Sequence, residues 1–417
     1  ITVLKNVNNM PALLQKADIG ITANGRTLFE FAHFRVPCIS LAQNEREKVH
    51  TFAKEENGVI FLGESHDFND NLLLHSITKL LTNTKYCKQF IDGPRFSSAR
   101  CTIALVILVS SLMKPVAEKI DGPSLIASLA NHSLLLGIDG EAGRSIAVGE
   151  RGHILLTENN GKNWIQKKSP TRRTLNSVCI VDQKTIWIVG HQSTVLRSQD
   201  GGENWTKIQV LDDPETSFLD VLFVDSSRGF IVGSYGKYFS TIDGGETWVE
   251  NEQEDDPHFY QIASQPNGVL WMVGEFGTVW KSNNQGESWE PLDSQYDGTF
   301  FGVVPLNKSS SIILHGLQGN IFRFKKGSIL KKIESPTNAI LQRGVQLKDG
   351  RLVLAAGAGE LLLGARDGRL FQVVALFDKA AVPTDLWQSE DRSLLVTTDR
   401  GVFRMTLDEL NKSRLDD

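Results

Sequence analysis

Residues 188–205, IVGHQSTVLRSQDGGENW, contain the pattern that decides the fold of this chain. An apolar run ends in a turn at Gly190, and the motif Ser-x-Asp-x-Gly-x-x-Trp follows from Ser198. The turn recurs at intervals of 41 to 43 residues, at Gly149, Gly190, Gly233, Gly274, Gly316, Gly357 and Thr398. A repeat of roughly 40 to 50 residues built from short strands is typical of a β-propeller blade. The sequence therefore predicts a mainly β fold, with a seven-bladed β-propeller over residues 124–408.

Four of the repeats carry the complete motif, which is typical of the Asp-box, or BNR, hairpin. A short Asp or Asn side chain can accept hydrogen bonds from the backbone of its own turn, and Gly adopts the positive φ of the tight corner. The Trp packs its large apolar face between neighbouring strands. The four copies contain Asn159 and Trp164, Asp200 and Trp205, Asp243 and Trp248, and Asn284 and Trp289. Because the motif recurs in repeat after repeat, whereas a metal or acid–base site is needed once, we interpret these residues as structural.

The motif weakens towards the end of the chain. The fifth and sixth repeats retain FRFKKG and ARDGRLF, so Asp367, Gly368 and Phe371 are a remnant with one residue missing. The seventh repeat, which ends at VFRMTL, lacks a candidate for its outermost strand. We expect residues 124–129 to supply that strand, because joining the first and last blades in this way leaves no open sheet edge. Residues 409–417 are predicted to be a polar tail.

Composition indicates a soluble protein with ample apolar core. The chain has 41% apolar residues, 22% charged residues and a formal net charge of −5, which excludes the electrostatic footprint of a nucleic-acid-binding protein. Its four cysteines form no CxxC pair and lie near no histidine cluster, so the sequence predicts no metal, cofactor or disulfide framework. Cys179, inside the apolar run LNSVCIV, is predicted to be a core residue.

A short apolar segment, IALVILVSSLM at residues 103–113, follows Arg95 and Arg100 and precedes Lys114. It is shorter than the about 20 residues expected for a bilayer span. We expect no stable membrane insertion of the propeller. A basic flank, a short apolar core and small residues up to Ala117 are typical of a secretory signal peptide. This interpretation predicts a periplasmic or otherwise extracytoplasmic propeller, with residues 96–123 as signal-like segment and linker. A buried helix that ends the preceding domain is the alternative.

Residues 1–95 have a different architecture, in which short apolar strands alternate with helical segments, as in a parallel α/β sheet. This part resembles the C-terminal half of a nucleotide-sugar-binding domain in glycosyltransferase-like proteins of pseudaminic acid and spore-coat polysaccharide pathways. The resemblance implies a Rossmann-like half-domain of the GT-B type, with candidate nucleotide-sugar residues Gly25, Arg26, Thr27, Glu30, Asn44 and Glu47. Because such enzymes bind substrate between two domains, we expect this half alone to be inactive. A genuine fusion and a gene prediction that joins two neighbouring genes both explain the junction.

The repeats themselves resemble the photosystem II stability and assembly factor family, through units such as IAVGERGHILLTENNGKNW and IVGSYGKYFSTIDGGETW. That family is a seven-bladed propeller without known catalytic chemistry, which in photosynthetic organisms assists insertion of a reaction-centre subunit at the thylakoid. The resemblance implies a noncatalytic, monomeric protein that binds a subunit of a membrane complex, in the thylakoid lumen if the source is photosynthetic.

Partner-binding residues are expected in the connections that enter the innermost strand of each blade, because these gather on one face around the centre of the ring. Arginine and aromatic residues are enriched at interaction hot spots. The candidates are Arg172, Arg173, Phe218, Asp220, His258, Tyr260, Phe300, Phe301, Arg343, Asp385 and Trp387. The resemblance further implies an arginine patch on this face, made of Arg172, Arg173 and Arg343. Filling of the space between blades is the alternative role for each Phe.

A glycoside hydrolase of the sialidase type is the competing hypothesis, since Asp-boxes also occur in such enzymes. A sialidase needs three arginines that clasp the substrate carboxylate, a Tyr nucleophile with a Glu partner, and an acid. The chain has no FRIP-like segment before its first Asp-box, and Tyr235, Tyr238, Tyr260 and Tyr296 have no acid at a spacing that indicates activation. Sialidases also have six blades, so the sequence favours binding over catalysis.

Overall fold

The computed structural model describes residues 19–23, 38–42, 59–64, 76, 105–107, 121–251, 256–307, 310–325, 330–376 and 381–412. The chain divides into two compact units, Ile1–Ile120 and Asp121–Asp417. Four parallel strands belong to the first unit: β1 (Ile19–Ala23), β2 (Cys38–Ala42), β3 (Val59–Glu64) and β4 (Leu105–Ile107), in the order β3-β2-β1-β4. No helix within the described ranges is long and apolar enough to cross a membrane.

The first three of these strands overlap the apolar runs ADIGITANG, VPCISLAQ and GVIFLG, which are the strands of the alternating pattern. The connecting segments and all six candidate nucleotide-sugar residues, from Gly25 to Glu47, lie outside the described residues, so the glycosyltransferase-like interpretation stays a prediction. Strand β4 falls within the apolar segment that we assigned to a signal peptide, and it pairs with β1. The parallel sheet therefore includes residues beyond the boundary at 95 that the sequence indicates.

The second unit consists of seven antiparallel sheets, one for each predicted blade. Blade 1 contains β5 (Leu135–Glu141), β6 (Arg144–Gly149), β7 (Ile154–Thr157) and β8 (Ile165–Lys167). Blade 2 contains β9 (Leu175–Ile180), β10 (Ile186–Gly190), β11 (Thr194–Ser198) and β12 (Thr206–Lys207). Blade 3 contains β13 (Phe218–Phe223), β14 (Gly229–Gly233), β15 (Tyr238–Thr241) and β16 (Val249–Glu250). Blade 4 contains β17 (Phe259–Ser264), β18 (Leu270–Gly274), β19 (Val279–Ser282) and β20 (Glu290–Pro291).

The last three blades follow the same order. Blade 5 contains β21 (Phe300–Pro305), β22 (Ser311–Gly316), β23 (Ile321–Lys325) and β24 (Lys331–Ile333). Blade 6 contains β25 (Leu341–Gln346), β26 (Leu352–Ala356), β27 (Glu360–Gly364) and β28 (Phe371–Leu376). Blade 7 has three strands, β29 (Pro383–Gln388), β30 (Leu394–Thr398) and β31 (Gly401–Met405). Short 3-10 turns occupy Ala130–His132, Glu150–Gly152 and Leu317–Gly319, and a C-terminal helix α1 spans Leu407–Lys412.

Apolar clusters between neighbouring blades hold the ring together. The first strand of each blade is innermost, and the inner strands of successive blades pack side by side, including β29 of blade 7 against β5 of blade 1. Each of the seven junctions has its own cluster of buried aliphatic and aromatic side chains. In the cluster between blades 2 and 3, for example, Trp187 stacks on Phe223 with ring centroids 5.4 Å apart. Cys179 is buried in the same cluster, as predicted.

The ring closes differently from our expectation. Residues 124–129 form no strand with blade 7; instead, Ser124 donates its N–H to the Ser169 carbonyl, and Leu125 accepts from Gln166, both at the outer edge of blade 1. Within the described residues, β31 has no strand paired to its outer side. Helix α1 starts just before the predicted polar tail, continues into it and buries Leu410 in the cluster between blades 6 and 7. The propeller therefore extends past residue 408.

The four hairpins with the complete motif have the hydrogen bonds that their sequence predicts. In each hairpin the Ser or Thr oxygen accepts the N–H of the motif glycine, at 3.1 Å for Gly161, 2.7 Å for Gly202, 3.0 Å for Gly245 and 2.8 Å for Gly286. The Asp or Asn accepts the N–H four residues later, at 2.9 to 3.0 Å. The glycines have φ between 76° and 88°, where a Cβ is strained.

These hairpins also join one blade to the one before it. A Cβ on Gly245 would lie 2.3 Å from Trp187 in blade 2, and one on Gly286 would lie 2.3 Å from Phe230 in blade 3. Gly161 of blade 1 has the same relation to Leu395 of blade 7, with 2.4 Å between them. The absence of a side chain thus lets each hairpin lie directly on the core of the preceding blade, and this contact continues across the closing junction.

Candidate partner-binding face

One face of the ring carries the connections that enter the inner strands together with the turns between the second and third strands. We call it the entry face. In every blade the residue at or after the turn donates its N–H to the carbonyl just before the inner strand, for example Ser234 to Ser217 at 2.9 Å and Glu275 to His258 at 3.1 Å. This bond draws the turn so close that a Cβ on Gly149 would lie 2.0 Å from the Leu134 oxygen. Close approach is therefore the reason for the repeated turn glycine.

Blades 6 and 7 have more space at this turn, and blade 7 has a threonine in place of the glycine. A Cβ on Gly357 in blade 6 would still be 3.4 Å from the Ile340 oxygen. Blade 7 has Thr398 at the equivalent position, with its hydroxyl bonded to the Gly401 carbonyl at 3.0 Å.

The first residue of every inner strand is buried between blades: Leu135, Leu175, Phe218, Phe259, Phe300, Leu341 and Pro383. Two predicted face residues, Phe218 and Phe300, belong to this set and are fully buried, so their assignment to the binding face is wrong. A register shift interrupts the pairing of each inner strand with its neighbour. In blades 4 and 5 this β-bulge follows the buried residue at once and leaves Tyr260 and Phe301 partly exposed at the mouth of the ring.

Asp220 and Asp385 connect blades rather than form an exposed face. Asp220 accepts the Ser177 hydroxyl at 2.6 Å and the Ile262 N–H at 3.0 Å, so it joins blade 3 to blades 2 and 4. Asp385 accepts the Ile138 N–H of blade 1 at 3.1 Å. Asp139, which sequence reasoning missed, accepts the Ile180 N–H of blade 2 at 2.7 Å. Acceptor side chains near the centre of the ring thus satisfy N–H groups of neighbouring inner strands.

The environment of Asp139 and Asp385 favours their neutral form. Burial raises the pKa of Asp139 to about 7, although hydrogen bonds from Ile180 and Gly140 oppose the shift. Burial also raises the pKa of Asp385 to about 6, and the Arg343 guanidinium acts in the opposite direction. Arg343 lies 3.6 Å from Asp220 and donates to the Tyr260 carbonyl at 3.2 Å. The Arg343 guanidinium therefore interacts with groups of the chain itself at the centre of the ring.

The other two arginines of the expected patch are also engaged within the chain. Arg173 lies 3.3 Å from Asp121 and donates to the Gln192 carbonyl at 2.8 Å. Arg172 is exposed and donates to the Pro123 carbonyl at 3.0 Å. Both belong to the connection that enters blade 2, whereas Arg343 belongs to blade 6. Two of the three arginines therefore lie in blade 2 and contact the start of the propeller, and the third lies in the non-adjacent blade 6 and contacts groups at the centre of the ring.

Trp387 contributes to the closing junction. It packs against the cluster between blades 7 and 1, and a Cβ on Gly140 would lie 2.5 Å from its indole nitrogen. Trp387 therefore has a packing role in this junction, and its role on the binding face stays a prediction.

Partly exposed aromatic rings do form a continuous group on the entry face of blades 3 to 5. We call Tyr235, His258, Tyr260 and Phe301 the aromatic arc. Ring centroids are 4.9 Å apart for Tyr235 and His258, 6.3 Å for His258 and Tyr260, and 4.7 Å for Tyr260 and Phe301. Three of these residues were predicted, and Tyr235 joins them from a turn. The arc is the part of the expected face that the structure brings together.

Glu275, which sequence reasoning missed, lies beside the arc. Its carboxylate accepts the Tyr260 hydroxyl at 3.3 Å and lies 4.0 Å from His258 Nδ1. Glu275 occupies the turn of blade 4 rather than a connection into an inner strand, so an expectation based on the connections alone omits it. In every blade the turn bonds to the segment that enters the inner strand, so the turn residues could also have been predicted to lie on this face.

Blade 4 has a groove next to the turn that carries Glu275. It has a volume of about 270 Å³ and lies between residues 276–280 and residues 291–297. Phe276, at the tip of the turn, is 76% exposed at one end of this groove. Asp293 and Asp297 are exposed on its other side. We call this the blade 4 groove.

The hairpin carboxylates lie at the opposite face and are bound to their own turns. Hydrogen bonds from the Thr247 side chain and backbone and from the Thr241 hydroxyl lower the pKa of Asp243 to about 2. Asp200 has its pKa lowered mainly by backbone and side-chain bonds from Asn204. A group that stays ionised in this way is poorly suited to proton transfer near neutral pH.

The fold and these contacts define the chain from Asp121 onwards as a seven-bladed β-propeller whose entry face presents aromatic and acidic side chains. A family described as Photosynthesis system II assembly factor YCF48 matches residues 128–214 and 209–333, which include blades 1 to 5. No curated protein matches the chain.

Several solved structures of different proteins have the same fold. One titled "YCF48 bound to D1 peptide" is 18% identical, with a TM-score of 0.57 over 68% of this chain and 99% of that one. YCF48 from Cyanidioschyzon merolae is 16% identical, with a TM-score of 0.55 over 69% of this chain and 99% of that one. A streptogramin B lyase is 15% identical, with a TM-score of 0.59 over 69% of this chain and 96% of that one. At these identities the likeness shows the fold alone.

Proposed function

We propose that the propeller is a noncatalytic protein-binding platform of the photosystem II assembly factor type, which assists assembly or stability of a membrane protein complex. The observation that carries this proposal is the partly exposed aromatic arc, together with the exposed Phe276, on a ring whose blades are joined at all seven junctions. Aromatic side chains on a rigid scaffold give large contact area at low entropic cost. The match to the YCF48 family supports the same function.

Photo-crosslinking tests this function directly. A photoreactive phenylalanine analogue at Phe276 is illuminated in cells and its adducts are identified by mass spectrometry. We expect a subunit of a membrane complex as the main adduct. The matched control is the same analogue at Ile242, which is 77% exposed in a hairpin of the opposite face. Equal adducts from both positions would contradict a partner-binding entry face.

We further propose that the propeller acts outside the cytoplasm, on the basis of the signal-like segment at residues 103–113. Mass spectrometry of the N-terminus of the native protein tests this location. A start near Glu118 supports export with cleavage after Ala117. Native protein that retains residues 1–117 in the cytoplasm contradicts it.

Glycoside hydrolysis is kept as a second candidate because Tyr260 and Glu275 form a hydrogen-bonded pair. A sialidase-type mechanism would use the Tyr260 oxygen as nucleophile and Glu275 as its base. Arg343 contacts the Tyr260 carbonyl, but Arg172 and Arg173 lie in a non-adjacent blade and do not complete a three-arginine clasp. Turnover of a fluorogenic sialoside that is lost in both Tyr260→Phe and Glu275→Gln would establish catalysis, and no turnover is expected.

A further inference from the structure

The entry face of blades 3 to 5 is acidic where it is exposed. Asp256 precedes β17, Asp293 and Asp297 precede β21, and all three side chains are exposed. Glu275 contacts His258 and Tyr260 of the aromatic arc. Glu215, in the connection that enters blade 3, is exposed on the adjacent part of the face.

Among the described residues, the exposed carboxylates of Asp256, Asp293 and Asp297 form no ion pair. In the described parts of the connections into blades 3, 4 and 5, and in the turns of blades 3 and 4, the basic residues are His258 and Lys237. Lys237 forms an ion pair with Glu250 of its own blade. His258 lies 4.0 Å from Glu275. The arginines of the expected patch lie in blades 2 and 6 and contact the chain itself.

The aromatic rings add a second kind of complementarity to a cation. The aromatic arc and Phe276 present ring faces and edges beside the acidic side chains, and a Lys or Arg over an aromatic face is attracted by its quadrupole. The blade 4 groove, with about 270 Å³, has room for an apolar side chain next to Phe276, with Asp293 and Asp297 on its other side. Acidic and aromatic side chains thus occur together on the entry face of blades 3 to 5.

We infer that this surface binds a positively charged segment of the partner, with Lys or Arg side chains against the arc and an apolar side chain in the blade 4 groove. The inference rests on the proposed function and specifies its ligand. It reverses the charge that an arginine patch would select, because the exposed part of this face carries carboxylates.

Synthetic peptides test the charge preference on the full chain. Two fluorescein-labelled dodecapeptides are compared by fluorescence polarisation, one with lysines and phenylalanines in a Gly/Ser background and one with glutamates in place of the lysines. We expect the basic peptide to bind at least about fivefold more tightly, and its affinity to fall on raising NaCl from about 50 to about 300 mM, since salt screens exposed charges.

Variants locate the binding surface. Phe276→Ala and the double variant Asp293→Asn/Asp297→Asn are each expected to weaken the basic peptide by about five- to tenfold, as for truncation of an interface anchor. Ile242→Ala and Glu158→Gln are the matched controls, because both residues are exposed in hairpins of the opposite face. The controls are expected to stay within about twofold of the unmodified protein.

The outcomes separate this inference from the proposed function. Equal binding of the two peptides, tighter binding of the acidic peptide, or equal effects of Phe276→Ala and Ile242→Ala each overturn the inference. If crosslinking from position 276 still captures a membrane-complex subunit, the proposed function stands with a ligand of different charge. If neither peptide binds and crosslinking captures no partner, both fail.

Discussion

Replacement of Gly245 by alanine tests the idea that motif glycines hold the blades together. Gly245 has φ +80°, and a Cβ there would lie 2.3 Å from the indole of Trp187. Trp187 has no room to move, because it is fully buried, stacked on Phe223 and in edge contact with Trp248. The substitution therefore combines backbone strain with overpacking between blades 2 and 3.

The magnitude follows from a control that separates the two costs. Gly268 has φ +81°, and a Cβ added there would have no atom within 4 Å, so Gly268→Ala carries the backbone cost alone, about 1 kcal/mol. Overpacking of a well-packed core adds about 1–3 kcal/mol. We therefore expect Gly245→Ala to lower the free energy of unfolding by about 2–4 kcal/mol, a large share of the stability of a typical domain.

Urea unfolding followed by tryptophan fluorescence measures this difference. All eight Trp residues lie between residues 164 and 387, so the signal reports the propeller and not residues 1–95. The free energies of unfolding of Gly245→Ala and Gly268→Ala are compared, and the comparison requires that the two proteins have equal m-values. An equal loss of unfolding free energy in the two variants would falsify the packing role of Gly245. In a second test, Trp187→Phe is expected to recover part of the loss in the Gly245→Ala background but to destabilise the unmodified protein.

Three further predictions concern buried polar groups. Ser198→Ala removes the acceptor of the Gly202 N–H and is expected to cost about 1–3 kcal/mol in the same urea assay, whereas a loss below about 0.5 kcal/mol would show that the hairpin does not depend on this bond. The folded-state pKa of Asp139, about 7, lies above its unfolded value near 3.8, so folding takes up a proton and the free energy of unfolding is expected to rise as the pH falls from about 8 to about 5. Asp139→Asn is expected to flatten this dependence in pH-titrated unfolding, and an unchanged slope would assign it to other groups. Burial raises the pKa of the Cys179 thiol, so peptide mapping after iodoacetamide treatment is expected to show alkylation of Cys179 only in denaturant, and rapid labelling of the native protein would contradict its burial.

The sequence predicts the blades well because each blade repeats the same local requirements. The turn glycine meets a carbonyl of its own blade, and the hairpin motif closes on its own backbone, so both signals are local in the chain. The YCF48 family match within blades 1 to 5 agrees with this prediction.

The candidate face was harder to predict because neighbouring residues on an inner strand have opposite roles. Phe300 and Phe301 are adjacent in sequence, yet one is buried between blades and the other contacts Tyr260 at the mouth of the ring. The residue types in this segment do not predict the β-bulge that gives the two side chains different directions. Asp220 and Arg343 lie 3.6 Å apart because the ring brings blades 3 and 6 together at its centre. No pattern in the sequence near either residue predicts this contact.

The closing junction has a consequence for how the chain could be rearranged. Within the described residues, blades 7 and 1 meet through the Asp385–Ile138 bond, the Gly161–Leu395 contact and side-chain packing, with no strand shared between them. The ring is thus held at this junction by the same kinds of contact as at the other six. A circularly permuted gene that begins with blade 3 and ends with blade 2 would place its new termini at an equivalent junction, so the propeller should tolerate such permutation.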